Sequence, residues 1–319
     1  MKKIVLLLLL GAVGFQLQAQ LTEEAIFSHY VANHALVNPA AIGFNENSQA
    51  FMNIRRSAQN FPGSPTSYAI SYNGAAGNVL GLGASIFSEN IAQLTNFRFQ
   101  GGVGLRFKVT DDIKVAGGLT VEISQRRLSN SILDNSFYEP GDQIVEANVE
   151  GTRYFDSSFG LYASYKENTY AGISFPNMVV SKLNAISTAD DSTNTFLQSV
   201  SAIVGHKIAV SDDLTIEPSL MVLQLEDTPL RIDANLLAHF LGEQFSAGLA
   251  YRFLDAPLDG RMGGNAALLL GVKVTAFKIF YSYEVSFLDF QTYNNGSHEV
   301  TIAFDFKGGS DARARRRKF

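Results

Sequence analysis

In FRFQGGVGLRF, residues 97–107, the residue types change with a period of two. Phe97, Phe99, Gly101, Val103, Leu105 and Phe107 share one parity; Arg98, Gln100, Gly102, Gly104 and Arg106 share the other. Alternation with a period of two places successive side chains on opposite faces, so this is a strand with one apolar face. KVAGGLTVEIS (114–124), FSAGLAYRF (245–253) and FKIFYSYEV (277–285) repeat the pattern. About fourteen such segments run from residue 49 onward, centred near 53, 70, 83, 101, 119, 161, 172, 205, 220, 236, 249, 268, 281 and 302.

The connections follow a second pattern. Turn chemistry marks NGAAGN at 73–78, with tight turns at 110–112, 166–168, 211–213 and 241–244. Longer segments fall at about 125–156, 176–198, 254–262 and 286–297. Short turns alternating with long loops along an antiparallel meander describe an outer-membrane barrel. A soluble β-sandwich or soluble barrel alternates too. Three features favour lipid on the apolar side. Aromatics cluster near strand ends, the opposite face mixes charges with glycines, and the last segment, SHEVTIAFDF, finishes on Phe304 and Phe306. Lipid makes closure compulsory, because unpaired backbone groups in hydrocarbon cost several kcal/mol each. Fourteen strands also enclose a lumen that wall side chains alone do not fill.

Composition agrees. The chain has 319 residues, enough for two domains or one large all-β unit. It is 46% hydrophobic with 24 Phe and 12 Tyr, yet past the N-terminus no apolar run reaches the ~20 residues of a membrane helix. With no cysteine it has neither disulfides nor thiol chemistry. Lys2 and Lys3, the apolar run from Ile4 and the small Ala19 read as a signal peptide over 1–19. A basic tail over 308–319 contains Arg313, Arg315, Arg316, Arg317 and Lys318. With the cations of the tail and the signal set aside, the body is strongly acidic, which argues against nucleic acid as a partner. The tail reads as a solvated end or as a periplasmic docking element for an acidic partner or anionic lipid.

Between signal and barrel, residues 20–48 form a separate unit. Thr22, Glu23 and Glu24 suit a helix start, and the spacing of Ile26, Phe27, Tyr30, Val31 and His34 predicts a short helix over 23–36. Pro39 disfavours helical geometry at Asn38, and NPAAIG then turns the chain. Tethered to the first strand, this segment reads as a hatch inside the barrel or a cap on its rim, the interior being favoured. Glycines such as those of GVGLRF and GNVLGLG read as places where a hatch or neighbouring backbone comes close.

The segment FSHYVANHALVNPAAIG resembles the N-terminal signature of the PorP/SprF family of the Bacteroidetes type IX secretion system, through Phe27, Ser28, Tyr30, Asn33, Asn38, Pro39, Ala40 and Gly43. IEPSLMV (216–222), SAGLAYRF (246–253) and the Gly296, Ser297, His298, Glu299 element near the C-terminus resemble further family segments. The resemblance implies a non-enzymatic outer-membrane barrel that serves protein secretion and gliding, supports export or surface attachment of adhesins and contacts periplasmic machinery. Its NPA element is similar to the hatch of fatty-acid-transporter-like barrels, which keeps a channel for hydrophobic or small solutes as the alternative. The implied setting is an outer membrane with both chain termini periplasmic, and the implied partners are outer-membrane lipid, secretion proteins and a secreted adhesin.

Chemistry finds little footing. None of the five histidines pairs at metal spacing, no dinucleotide motif opens a helix, and no cofactor is expected. Acidic loops at 134–143 and 187–195 match no EF-hand. Ser297 and His298 are adjacent, so on a strand they face opposite ways and share no site. His298 and Glu299 instead help register the closing strand, one of them toward the lumen. The expectation is an all-β, closed antiparallel transmembrane β-barrel over 49–307, with the N-terminal helix and NPA segment as plug or cap.

Overall fold

The structure is a computed structural model that describes residues 27–60, 62–134, 138–183, 198–226, 228–256, 261–287 and 295–306. The expected signal peptide, the expected start of the helix at 22–26 and the basic tail with Arg313, Arg315, Arg316, Arg317 and Lys318 lie outside the described residues. The strands are β1 (Ser48–Arg56), β2 (Thr66–Ala76), β3 (Leu80–Ile91), β4 (Leu94–Lys108), β5 (Ile113–Leu128), β6 (Thr152–Tyr165) and β7 (Thr169–Phe175). Then come β8 (Val200–His206, continued past Lys207 by Ile208–Ser211), β9 (Leu214–Gln224), β10 (Arg231–Phe240), β11 (Phe245–Ala256), β12 (Arg261–Val274), β13 (Phe277–Ser286) and β14 (Ser297–Phe306). Neighbours in sequence pair antiparallel all the way round, and β14 returns to pair with β1, Ser48 opposite Phe306 and Arg56 opposite His298. The result is a closed barrel of fourteen strands. All fourteen expected strand centres fall within them. A two-residue bridge, Ser181–Lys182, adds to the edge of β6.

One rim carries only short connections, at 77–79, 109–112, 166–168, 212–213, 241–244 and 275–276; this is the turn rim, where β1 begins and β14 ends. The loop rim carries 57–65, 129–151, 176–199, 225–230, 257–260 and 287–296, with one tight turn at 92–93. Two boundaries shift from expectation. Asn73–Ala76 continue β2, because each keeps a partner in β3 down to Ala76 opposite Leu80. β5 and β6 also run further toward the loop rim, pairing Arg126 with Thr152. The 129–151 loop holds a helix, α1 (Gln143–Glu150), capped by the Asp142 carboxylate, which accepts from the Ile144 and Val145 amides at 3.0 and 3.2 Å.

The alternation is physical. Leu249 is 62% exposed and Phe99 50% on the outer wall, along with Ile70, Val121, Leu268 and Ile279. Aromatics edge this belt. Phe240 stands opposite Phe245 beside the 241–244 turn, and the Phe277 and Phe304 rings are 4.8 Å apart at the turn rim. Tyr251 and Phe253, 4.4 Å apart, lie toward the loop rim. An apolar band between aromatic girdles fits a bilayer.

The belt makes a prediction. Leu249→Arg, mid-wall, is expected to destabilise the barrel in lipid vesicles by roughly 2–4 kcal/mol. Urea unfolding reads this out, and a change within about 0.5 kcal/mol, typical of a water-facing site, would contradict a lipid-facing wall.

Candidate functional site

Residues 27–44 run through the lumen. Ser28 is held near the loop-rim ends of β1 and β14, by Arg55 and Glu299, while Gly43 lies beside Gly74 and Gly81 near the turn rim. The described part of the expected helix is not α-helical. It forms two 3-10 turns, Ser28–Val31 and His34–Leu36, followed by a third at Pro39–Ala41. The wall explains the break. Glu299 takes the Ser28 and His29 amides at 2.8 and 2.9 Å, and Asn33, at φ −144°, interrupts the chain between turns.

One side of the lumen is ionic. Arg55, Arg231 and Arg252 face Asp233, Glu284 and Glu299, three charges of each sign on β1, β10, β11, β13 and β14. Arg55 donates to Glu284 at 3.0 Å and to Glu299 at 3.2 Å; Arg252 donates to Asp233 at 2.9 Å. The Ser28 hydroxyl sits among them, accepting from Arg55 at 3.1 Å and Arg252 at 3.2 Å. Glu299, 1% exposed, therefore bridges wall and plug. Breaking a buried pair of this kind strands a charge, which is why it costs about 3–5 kcal/mol. Tyr30 extends the grip, its hydroxyl accepting from Asn235 at 2.8 Å. Burial, reinforced by Asp233, pushes that phenol above its usual range.

The opposite side is bare backbone. Gly81 pairs with Gly104, Gly104 with Gly118 and Gly118 with Gly160, a row of four glycines across β3–β6. The plug lies directly on it. A Cβ at Gly81 or Gly104 would strike the Ile42 carbonyl, one at Gly118 the Pro39 carbonyl, and one at Gly160 the Asn38 side chain. The row continues at Ser174, opposite Gly160, whose hydroxyl donates to the Val37 carbonyl at 2.7 Å. Asn38 locks the register. Its Oδ1 accepts from the Ala40 amide at 2.9 Å, and its Nδ2 donates to the Leu161 and Ile173 carbonyls at 3.0 and 3.2 Å. Gly43, at φ +67°, donates to Asn73 at 2.7 Å, and Arg106 clamps the Gly43 carbonyl together with that of Gly77.

The predicted residues are thereby placed. Phe27 packs edge-on to Phe87 at 6.0 Å, and Tyr30 and Ala40 share an apolar cluster with Phe44, Tyr162, Tyr170 and Met221. Asn33 accepts from Asn73 at 3.4 Å, and Asn38, Pro39 and Gly43 lie on the glycine row. On the closing strand Ser297 faces inward, accepting from the Ala58 amide at 3.1 Å, and Gly296 precedes it at φ +85°. Glu299 faces the plug, while His298 faces outward, bonded to Tyr281 at 2.8 Å. Phe304 and Phe306 stand 4.8 Å apart on the outer wall. Sequence reading missed Arg55, Asp233, Arg252 and Glu284, whose only signal was inward parity.

Ser246, His239 and Glu217 form a relay, 2.9 Å from Ser246 to His239 and 3.1 Å from His239 to Glu217. Tyr170 also donates to Glu217, at 2.9 Å. The cavity that Ser246 lines is about 10 Å³, room for little more than a water. The relay is a strut across β7, β9, β10 and β11.

Two predictions follow from the plug geometry. Gly104→Val is expected to yield a folded barrel whose plug becomes cleavable by protease, whereas Gly101→Val, whose Cβ meets open space on the same strand, keeps it protected. Equal protection in both would contradict backbone docking. The second concerns acid. Burial holds His34 down at about 4 from its ordinary 6.5, with Glu217 opposing and Lys207 assisting, and burial lowers His29 likewise. The docked state resists a proton that the released segment accepts, so docking is full above about pH 6.5 and weakens as pH falls toward 4. Protease cleavage of the plug is expected to rise from pH 7.5 to pH 5, and less so in His34→Gln. Cleavage independent of pH would contradict it.

The chain matches the family model for the type IX secretion system membrane protein PorP/SprF over residues 19–304. Among solved structures it is similar to the CymD monoaromatic hydrocarbon channel, at 14% identity over 88% of this chain and 92% of that one, TM-score 0.51. A FadL homologue of Pseudomonas aeruginosa overlaps at 11% identity over 85% and 93% of the two chains, TM-score 0.48. At 14% identity the likeness to CymD is one of fold. No curated protein matches it in sequence. The apolar belt and the family match together make the outer membrane its location. A closed barrel with an inward NPA segment, matched along nearly its whole length, belongs to the PorP/SprF family of type IX secretion membrane proteins.

Proposed function

We propose that this barrel is a non-enzymatic accessory of type IX secretion and gliding that works through its rims and not by conducting solute. It supports export or surface attachment of adhesins. The observation that carries this reading is the occupied lumen: the chain's own residues 27–44 cross it and are bonded to both sides of the wall. The asymmetry of the rims supports an orientation with the loop rim outward, toward a secreted adhesin. The turn rim, where β1 begins and β14 ends, faces the periplasm and its machinery. The Arg313–Lys318 tail follows β14 in the sequence, and its cations suit an acidic partner or anionic lipid heads.

A second reading is a channel for hydrophobic or small solutes, favoured by the fold shared with CymD and by a cavity of about 160 Å³ beside the plug. Planar-bilayer recording combined with purification from crosslinked cells separates the two. The secretion reading expects no steady conductance and recovery of periplasmic secretion proteins. A steadily open pore, or flux that depends on an added solute, would overturn it.

A further inference from the structure

On the outer wall the residue types change in rows. Met52, Ile70, Ile86, Phe99 and Ile123 stand directly opposite one another across β1–β5, all apolar and each between 45% and 61% exposed. Two residues nearer the loop rim, Ile54, Tyr68, Ser88, Phe97 and Gln125 form a mixed row. Two residues further on, Arg56, Thr66, Asn90, Thr95 and Arg127 form a row with no apolar member. Two residues span about 6.6 Å of a strand, or about 5 Å along the membrane normal when strands tilt by roughly 40°. The polar row therefore lies one step past the edge of the hydrocarbon, inside a headgroup layer about 5–7 Å deep.

The charges on this face have one sign. Among the described side chains, the outward positions of the strands carry Arg56, Arg127 and Arg153, and no Lys, Asp or Glu. All three arginines stand at loop-rim ends. The lumen follows a different rule, because its arginines face carboxylates. Arg153 pairs with Gln125 and so lies diagonal to Arg127, about 7–8 Å away, within reach of one shared anion. Arg56 stands opposite His298, whose ring is bonded to Tyr281 at 2.8 Å and lies 5.0 Å from the Tyr283 ring. Four strand spacings, about 19 Å along the wall, separate Arg56 from Arg127. Among the described residues neither of these two arginines is ion-paired.

From the single sign of charge and its level on the wall, we propose that the loop-rim collar of β1–β6 binds phosphate-bearing lipid headgroups of the adjoining leaflet. Arg127 and Arg153 form one seat, and Arg56 beside His298 forms the other. A guanidinium matches phosphate bidentately, and the geometry of its fork suits a phosphate that other lipids replace poorly. The acyl chains of the same lipid lie along the wall over Ile123, Phe99 and Met52, so one molecule covers both the apolar row and the cations. With the loop rim outward, these are outer-leaflet lipids. The inference rests on that orientation only for the leaflet, and not on the secretion role.

The test uses the full-length barrel in phosphatidylcholine vesicles, with spin-labelled phosphatidic acid and spin-labelled phosphatidylcholine as probes. The immobilised fraction in electron paramagnetic resonance gives the preference of the protein surface for each. Phosphatidic acid is expected to be preferred. Arg56→Gln and Arg127→Gln, each with the basic tail intact, are expected to lower that preference by about twofold to fivefold. Lys166→Gln, an exposed cation at the turn rim, is expected to leave it unchanged. Heat-modifiable gel mobility shows that a variant keeps its barrel, and because the two arginines stand on different strands, each substitution is the second line for the other. The proposal is overturned by equal association of the two lipids, by a preference that neither arginine substitution lowers, or by an equal loss in Lys166→Gln, as diffuse surface charge would give. Displacement of the labelled lipid by excess inorganic phosphate also overturns it, since it marks a site for a soluble anion. None of these outcomes depends on conductance or on recovered partners, so a failure here is distinct from a failure of the secretion role.

Discussion

Backbone hydrogen bonding in hydrocarbon governs this molecule. Within the apolar belt no water offers a partner, so each strand needs neighbours on both sides and the sheet must close. The pairing of β14 with β1 is that closure, and it fixes the wall at fourteen strands. The wall then creates the next problem, a lumen wider than its own side chains fill. The chain fills it with its own N-terminal residues.

Filling a barrel with backbone imposes two further conditions. The plug carries its own amides and carbonyls, which need partners as much as those of the strands do. The side chains of Glu299, Asn38, Asn73, Ser174 and Arg106 supply them, because the strand ladders are already paired within the wall. The plug must also approach closely enough to leave no gap, and the Gly81–Gly104–Gly118–Gly160 row allows that on one side. On the other side space is taken by long charged chains in balanced pairs. The two halves of the lumen thus solve the same packing problem differently, one with the smallest residue and one with the largest polar ones.

Much of this was legible in the residues. Alternation such as Phe97 to Phe107 marks strands because one face meets a uniform apolar phase, and lipid is the most uniform neighbour a protein has. The glycines of GVGLRF, on the parity opposite the aromatics, signalled close backbone approach, and Gly104 makes that contact. Pro39 correctly marked a change of direction after Asn38. Other features were hidden for physical reasons. The described part of the N-terminal segment has helical spacing but forms 3-10 turns, since tertiary bonds to Glu299 and Asn73 outweigh local propensity. The Arg55–Glu284–Arg252–Asp233 network joins residues far apart in the chain, and only the strand register brings them together. The register itself depends on closure, which no single segment encodes.

Residues 38–43 are docked backbone, as much part of the barrel as the wall they lie on. Hydrogen–deuterium exchange of the purified protein in micelles reads out that docking. Amides of Ala40, Ala41, Ile42 and Gly43 are predicted to exchange as slowly as those in the middle of β4, β5 and β6. Exchange on the scale of a free loop, with the wall still protected, would contradict the account.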